Sequence, residues 1–127
     1  MAKSYQYDHS YDPAAPIIPV GLSPSGEADA KTEVMALLDS GADATMIPIN
    51  VLVNAGARFV EQRQMRGVVG EAITVDLYLT AVHIGNYTIH GIRAIGMASG
   101  LESIVGRDVL NQLEINLNGL AHEVSII

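Results

Sequence analysis

One carboxylate in this chain stands where an ionisable group is expensive. Asp39 ends the apolar run Glu33-Val34-Met35-Ala36-Leu37-Leu38 and is followed at once by Ser40 and Gly41. A charge placed directly after two leucines is costly to desolvate unless it is hydrogen-bonded or used in chemistry. The chemistry open to it is acid/base work with a second carboxylate close by. No second Asp-Ser/Thr-Gly exists, since Asp8, Asp12, Asp29, Asp76 and Asp108 are followed by other residues. If Asp39 is half of a two-carboxylate site, the other half comes from a second copy of the chain. A blander reading also stands, a strand-end turn in which Asp39 bonds its own backbone.

Other chemistries find little support. There is no cysteine, which excludes disulfides, thiolate catalysis and thiolate metal sites. His9, His83, His90 and His122 are scattered without metal-ligand spacing, so the sequence predicts no metal and no cofactor. Phosphate loops, Ser-His-Asp arrangements and basic patches are lacking. The net charge of −7 argues against nucleic acid and anionic membrane as partners. No apolar run reaches the roughly 18–20 residues of a membrane span and the N-terminus is not signal-like. The expected setting is therefore soluble and cytoplasmic.

The elements that must position Asp39 read as β. The 127 residues suit one domain, and 49% are hydrophobic, ample for a core. With one Phe, five Tyr and no Trp, that core must be aliphatic. Residues 1–15 lack periodicity and are expected to form a loose, disordered arm, leaving 16–127 as the domain. Strands are predicted at Ile17–Leu22, Glu33–Leu38, Met46–Ile49, Phe59–Gln64, Ala72–Ala81 and Tyr87–Ile95. Pro19 marks an edge or a bend in the first of these. Gly67-Val68-Val69-Gly70 reads as a hairpin tip, and Asn50–Ala57 as a helical turn or loop. Asp108 to Leu113 is the most helix-like stretch, with Asp108 as its cap and Val109, Leu110 and Leu113 on one face. The chain end alternates around Asn118-Gly119, a short-hairpin signal. No internal repeat is present.

Three of these segments together resemble one family. Leu37-Leu38-Asp39-Ser40-Gly41-Ala42 is similar to the apolar-apolar-Asp-Thr/Ser-Gly-Ala signature of aspartic proteases. Ile104-Val105-Gly106-Arg107-Asp108-Val109-Leu110 resembles the apolar-apolar-Gly-Arg segment and helix of the retroviral-type enzymes, the retropepsins. Met65-Arg66-Gly67-Val68-Val69-Gly70 sits where that family carries its glycine-rich flap. The resemblance covers roughly residues 16–118.

It implies an all-β closed barrel with one short C-terminal helix, working as a homodimer on a peptide or protein substrate. Asp39, Ser40 and Gly41 are then catalytic: Asp39 gives half of a dyad, Ser40 pins the two loops across the dimer, and the Gly41 amide bonds the carboxylate. Substrate contacts are implied for Leu37, Ala42, Asp43, Met46, Ile47 and Ile104, and for Gly67, Val68, Val69 and Gly70 of the flap. Gly106 and Arg107 are structural, with Arg107 paired to Asp43. The apolar walls imply cleavage between hydrophobic residues, and the C-terminal hairpin is expected to build the dimer sheet. The implied activity is an aspartic endopeptidase. The alternative is a non-catalytic module of the same fold that binds extended peptides or only dimerises.

Overall fold

Why a run of aliphatic residues with a proline in it makes a strand is clear from its neighbours. In the computed structural model, which describes residues 1–66 and 70–127, β2 (Ile17–Ser23) lies antiparallel to β3 (Thr32–Leu38) along its length. On its other side β2 pairs with β6 (Ala72–Ile84) only from Gly21 to Ser23. Pro19 therefore sits where that side of the strand is still unpaired, and its missing N–H costs nothing. Gly21 marks the closure. A Cβ there would fall 2.6 Å from Ala30 Cβ and 3.1 Å from His83 Cβ, so a side chain would push the strands apart.

The remaining strands are β4 (Met46–Pro48), β5 (Arg58–Arg66), β7 (Tyr87–Met97) and β8 (Ser103–Val105). Hydrogen bonding follows the order β2-β3-β8-β4-β7-β6, and the β2–β6 pairing closes these six into a barrel. The parallel pairing of β3 with β8 sets the Asp39 strand beside the Ile104 strand, and β4 pairs parallel with β7. The short helices α1 (Ile49–Asn54) and α2 (Arg107–Leu110) flank the barrel. β5 adds to the outer edge of β6, giving a long two-stranded arm. The core is aliphatic, built on Ile18, Val20, Leu22, Leu38, Ile47, Val82, Ile84 and Val105.

Three expectations are corrected. The N-terminal arm is not loose: β1 (Lys3–Gln6) pairs antiparallel with β10 (Glu123–Ile126), which pairs with β9 (Ile115–Asn118). Its polar residues hid the strand, because one face is solvated and the backbone ladder supplies the binding. Tyr5 and Tyr7 nevertheless pack against the core. The C-terminal hairpin turns through Gly119-Leu120-Ala121-His122 instead of a two-residue Asn-Gly turn, with Asn118 Oδ1 accepting from Ala121 N at 3.0 Å. Finally, α2 ends at Leu110, and Asp108 lies inside it, not at its cap. Gly106 holds the cap position without a side-chain bond.

Candidate active site

The Asp39 loop is fixed by backbone first. Asp39 N donates to Val105 O at 3.0 Å, extending the β3–β8 pairing by one residue, and Ala42 N closes a tight turn on Asp39 O at 3.1 Å. Within the turn, Gly41 N donates to Asp39 Oδ1 at 2.9 Å. This satisfies one carboxylate oxygen of the half-buried side chain and fixes its orientation. A Cβ at Gly41 would lie 3.2 Å from that same oxygen.

The β8–α2 segment then clamps the loop from behind. Arg107 N donates to Ala42 O at 2.9 Å, and Arg107 Nη1 to Ser40 O at 2.7 Å. Its other terminal nitrogen pairs with the Asp43 carboxylate. One guanidinium thus spans both ends of the loop, which only a rigid fork of donors can do. Gly106 approaches so closely that a Cβ would sit 2.6 Å from the Ala44 carbonyl carbon and 2.7 Å from its oxygen. No other residue fits there.

A second layer involves Asp108, whose carboxylate sequence reasoning assigned to a helix cap. Its oxygens accept from Thr45 N at 3.0 Å, Thr45 Oγ1 at 2.8 Å and Val109 N at 2.9 Å. Thr45 Oγ1 in turn accepts from Gly106 N at 3.2 Å, and Thr45 is fully buried. Charge-assisted bonds of this kind are about twice as strong as neutral ones. The Asp39–Thr45 loop is therefore held by the side chains of the two residues after Gly106, Arg107 and Asp108.

Above the loop runs a groove of about 370 Å³ under the β5–β6 arm. Of the expected substrate residues, Ala42, Asp43 and Met46 line it, with the catalytic Gly41. Leu37 and Ile104 stand side by side on β3 and β8, half-buried and outside that lining. Ile47 is corrected: it is fully buried in the barrel core, because strand alternation turns it away from Met46. Gly70 lies at the far end of the arm in a left-handed conformation, φ +83°. Gly67, Val68 and Val69 lie outside the described residues. Residues not foreseen complete the walls: Ile73, Val75 and Ile95. The signal was present in part, since Ile73 and Val75 share a face by period two, and Met65 opposes Ile73 across the arm.

Beside Ser40, on the other side of the loop, lies an apolar hollow of about 270 Å³ lined by Leu38, Leu110, Leu113, Ile115 and Leu117. The histidines are elsewhere. His83 bonds Ser23 Oγ at 2.7 Å, and its pKa is lowered by burial first and by the charge of His90 second, with Asp29 opposing. Among the described residues no group of three or more His, Asp or Glu side chains is placed to hold a metal ion, and no helix is long and apolar enough to cross a membrane.

Comparison with known proteins agrees with this geometry. Residues 26–112 match the family model described as "gag-polyprotein putative aspartyl protease". The fold is similar to EIAV protease complexed with the inhibitor HBY-793, at 19% identity and a TM-score of 0.53, over 77% of this chain and 86% of that one. It is also similar to a retropepsin-like aspartic protease from Rickettsia conorii, at 11% identity and a TM-score of 0.60, over 99% of this chain and 91% of that one. No curated protein sequence matches the chain. The matched segment holds the Asp39 loop, the arm and the Gly106–Asp108 clamp, and with it the chain belongs to the gag-polyprotein aspartyl protease family, with the barrel fold of the retropepsins.

Proposed function

We propose that this protein is an aspartic endopeptidase whose active site forms between two copies of the chain. The observation that carries the reading is Asp39: one half-buried carboxylate, oriented by Gly41 N at 2.9 Å, next to a groove with apolar walls. Two such carboxylates brought together cannot both ionise cheaply, so they share one proton and titrate as a pair. The ionised Asp39 takes a proton from water as the water oxygen attacks the peptide carbonyl carbon. The protonated Asp39 gives its proton to the carbonyl oxygen. The tetrahedral diol then collapses: the amine leaves with the proton the first Asp39 had taken, and one diol hydroxyl returns its proton to the second Asp39, giving a carboxylic acid and a dyad that again holds one proton.

The rest of the site supports this division of labour. The apolar walls at Met46, Ile73, Val75 and Ile95 favour hydrophobic side chains around the scissile bond. Asp43, exposed and anchored to Arg107, can accept backbone N–H groups of an extended peptide. By the resemblance, Gly67, Val68, Val69 and Gly70 cover that peptide and exclude water. A surface suited to a second copy supports the dimer. The hollow beside Ser40 is apolar, half-exposed Leu117 lies at its rim, and β9 is the outer strand of the order β1-β10-β9. Residues 16–127 act as one protease domain in this reading.

A peptide library profile tests it. Purified wild type should cleave between hydrophobic residues, with a rate that peaks where the pair holds one proton and falls to either side. Mixing equal amounts of wild-type and Asp39→Asn chains, after exchange, should leave about a quarter of the dimers fully wild type. Activity that simply halved on mixing would mean each chain works alone. Peptide binding without turnover at any pH would favour the non-catalytic module.

A further inference from the structure

At the hairpin loop of the terminal sheet, two histidines face each other nitrogen to nitrogen. His9 Nε2 and His122 Nδ1 are 2.8 Å apart, so one ring donates and the other must be neutral at the facing atom to accept. The rings lie 5.0 Å apart at 45°, and Tyr7 stacks on His122 at 5.6 Å and 6°. The placement is built by backbone on both sides. Tyr7 N donates to His122 O at 2.8 Å, continuing the β1–β10 ladder, and His122 closes the hairpin loop in a left-handed conformation, φ +52°.

The segment that this pair fastens reaches the start of β8. Asp8 and Ala15 exchange backbone bonds of 2.8 and 3.1 Å, closing residues 8–15 into a loop. From that loop Tyr11 OH donates to Glu102 Oε1 at 3.1 Å. Glu102 directly precedes β8, the strand whose Val105 carbonyl receives the Asp39 amide. The N-terminal loop is thus strapped between the terminal sheet at one end and the start of β8 at the other.

We propose that His9 and His122 form an acid-sensitive clasp, closed while at least one ring is neutral and opened when both are protonated, releasing residues 7–15 from the C-terminal hairpin. Two imidazolium rings would each point an N–H at the other across 2.8 Å, exchanging a hydrogen bond for like-charge repulsion. Histidine is the side chain whose charge changes between about pH 5 and 8. The charged neighbours along the chain are Asp8 on the loop and Glu123 on β10. The Asp8 carboxylate is already engaged by Ser10 Oγ at 2.6 Å, which chiefly holds its pKa low, and by Ser10 N at 2.9 Å, so it remains a partial counter-charge to His9 and does not restore the lost bond. Coupling of the clasp to peptide cleavage rests on the active-site reading above. The clasp itself does not.

Hydrogen–deuterium exchange tests it without any appeal to activity. After correction for intrinsic exchange, peptides covering residues 7–15 should lose protection by about 2- to 10-fold between pH 7 and pH 5, the weight of one hydrogen bond. Strands of the barrel core serve as the internal reference and should not change with them. In His9→Gln and in His122→Asn (asparagine tolerates the left-handed backbone) the pH step should vanish, with circular dichroism at pH 7 confirming the fold. Equal protection of residues 7–15 at both pH values in wild type overturns the proposal. So does a pH step that persists unchanged in His9→Gln.

Discussion

The floor and the roof of the groove are built on opposite principles. The floor, Asp39 to Thr45, is a loop with little periodic structure, yet it is tied by Arg107, Gly106 and Asp108 through bonds of 2.7–3.2 Å, and Thr45 is fully buried. The roof is regular β-hairpin but thin. Residues Arg58–Arg66 contain no buried side chain, and Ile73 is 53% exposed over the groove. Regular secondary structure is therefore not where the rigidity lies. Under the proposed dimeric mechanism, a carboxylate that must meet its twin within a few ångströms needs a preorganised floor, whereas a site that admits a peptide needs a roof that can move.

Substitutions can sharpen or break that contrast. The largest effect is expected at Asp39. Asp39→Asn should lower kcat/KM by about 10³-fold or more with an unchanged thermal melt, since Asn keeps the acceptor for Gly41 N. Loss of the fold instead would make Asp39 a structural turn residue. Next comes the clamp: Asp108→Ala leaves Thr45 N and Oγ1 without their partner, and should cost about 3 kcal/mol in urea unfolding, with activity falling in step. Asp108→Asn should recover part of both. On the roof, Ile73→Asp should raise KM about tenfold and leave the urea midpoint in place. A large stability loss there would erase the distinction between the two regions.

The smallest effect is a pH dependence of stability away from the groove. His83 has its folded pKa lowered by burial, so the fold resists a proton that the unfolded chain accepts. Its stabilising contribution is present above the unfolded value near 6.5, and is lost as pH falls from there toward the lower folded value. Melting temperature should decline over that window in wild type and decline less in His83→Gln. An equal decline in both would place the acid sensitivity in other groups.

Local patterns made much of this legible. The β3 run into Asp39, the short β8 segment before Gly106 and the long β6 and β7 strands follow from apolar runs and alternation. The pairing of Arg107 with Asp43 was legible only through the resemblance. What escaped were features whose cause is distant in sequence. β1 reads as a polar tail until β10 offers it an unpaired edge. Asp108 reads as a cap until the fold brings Thr45 within 3 Å of it, 63 residues away along the chain. Ile47 reads as a pocket wall until alternation within β4 sends it inward and Met46 outward.

The sequence by itself determined that the chain is β-rich and aliphatic inside, with one costly carboxylate after Leu37 and Leu38, because composition and period two are local properties. Only the tertiary structure decided which donors hold that carboxylate's loop, which residues wall the groove and that the two ends of the chain form one sheet. Those are juxtapositions between distant parts of the chain, as in the Ser4–Ser125 hydroxyl pair separated by 121 positions. No local pattern encodes such pairs. They arise when barrel closure and aliphatic burial leave each polar group with a single partner in reach.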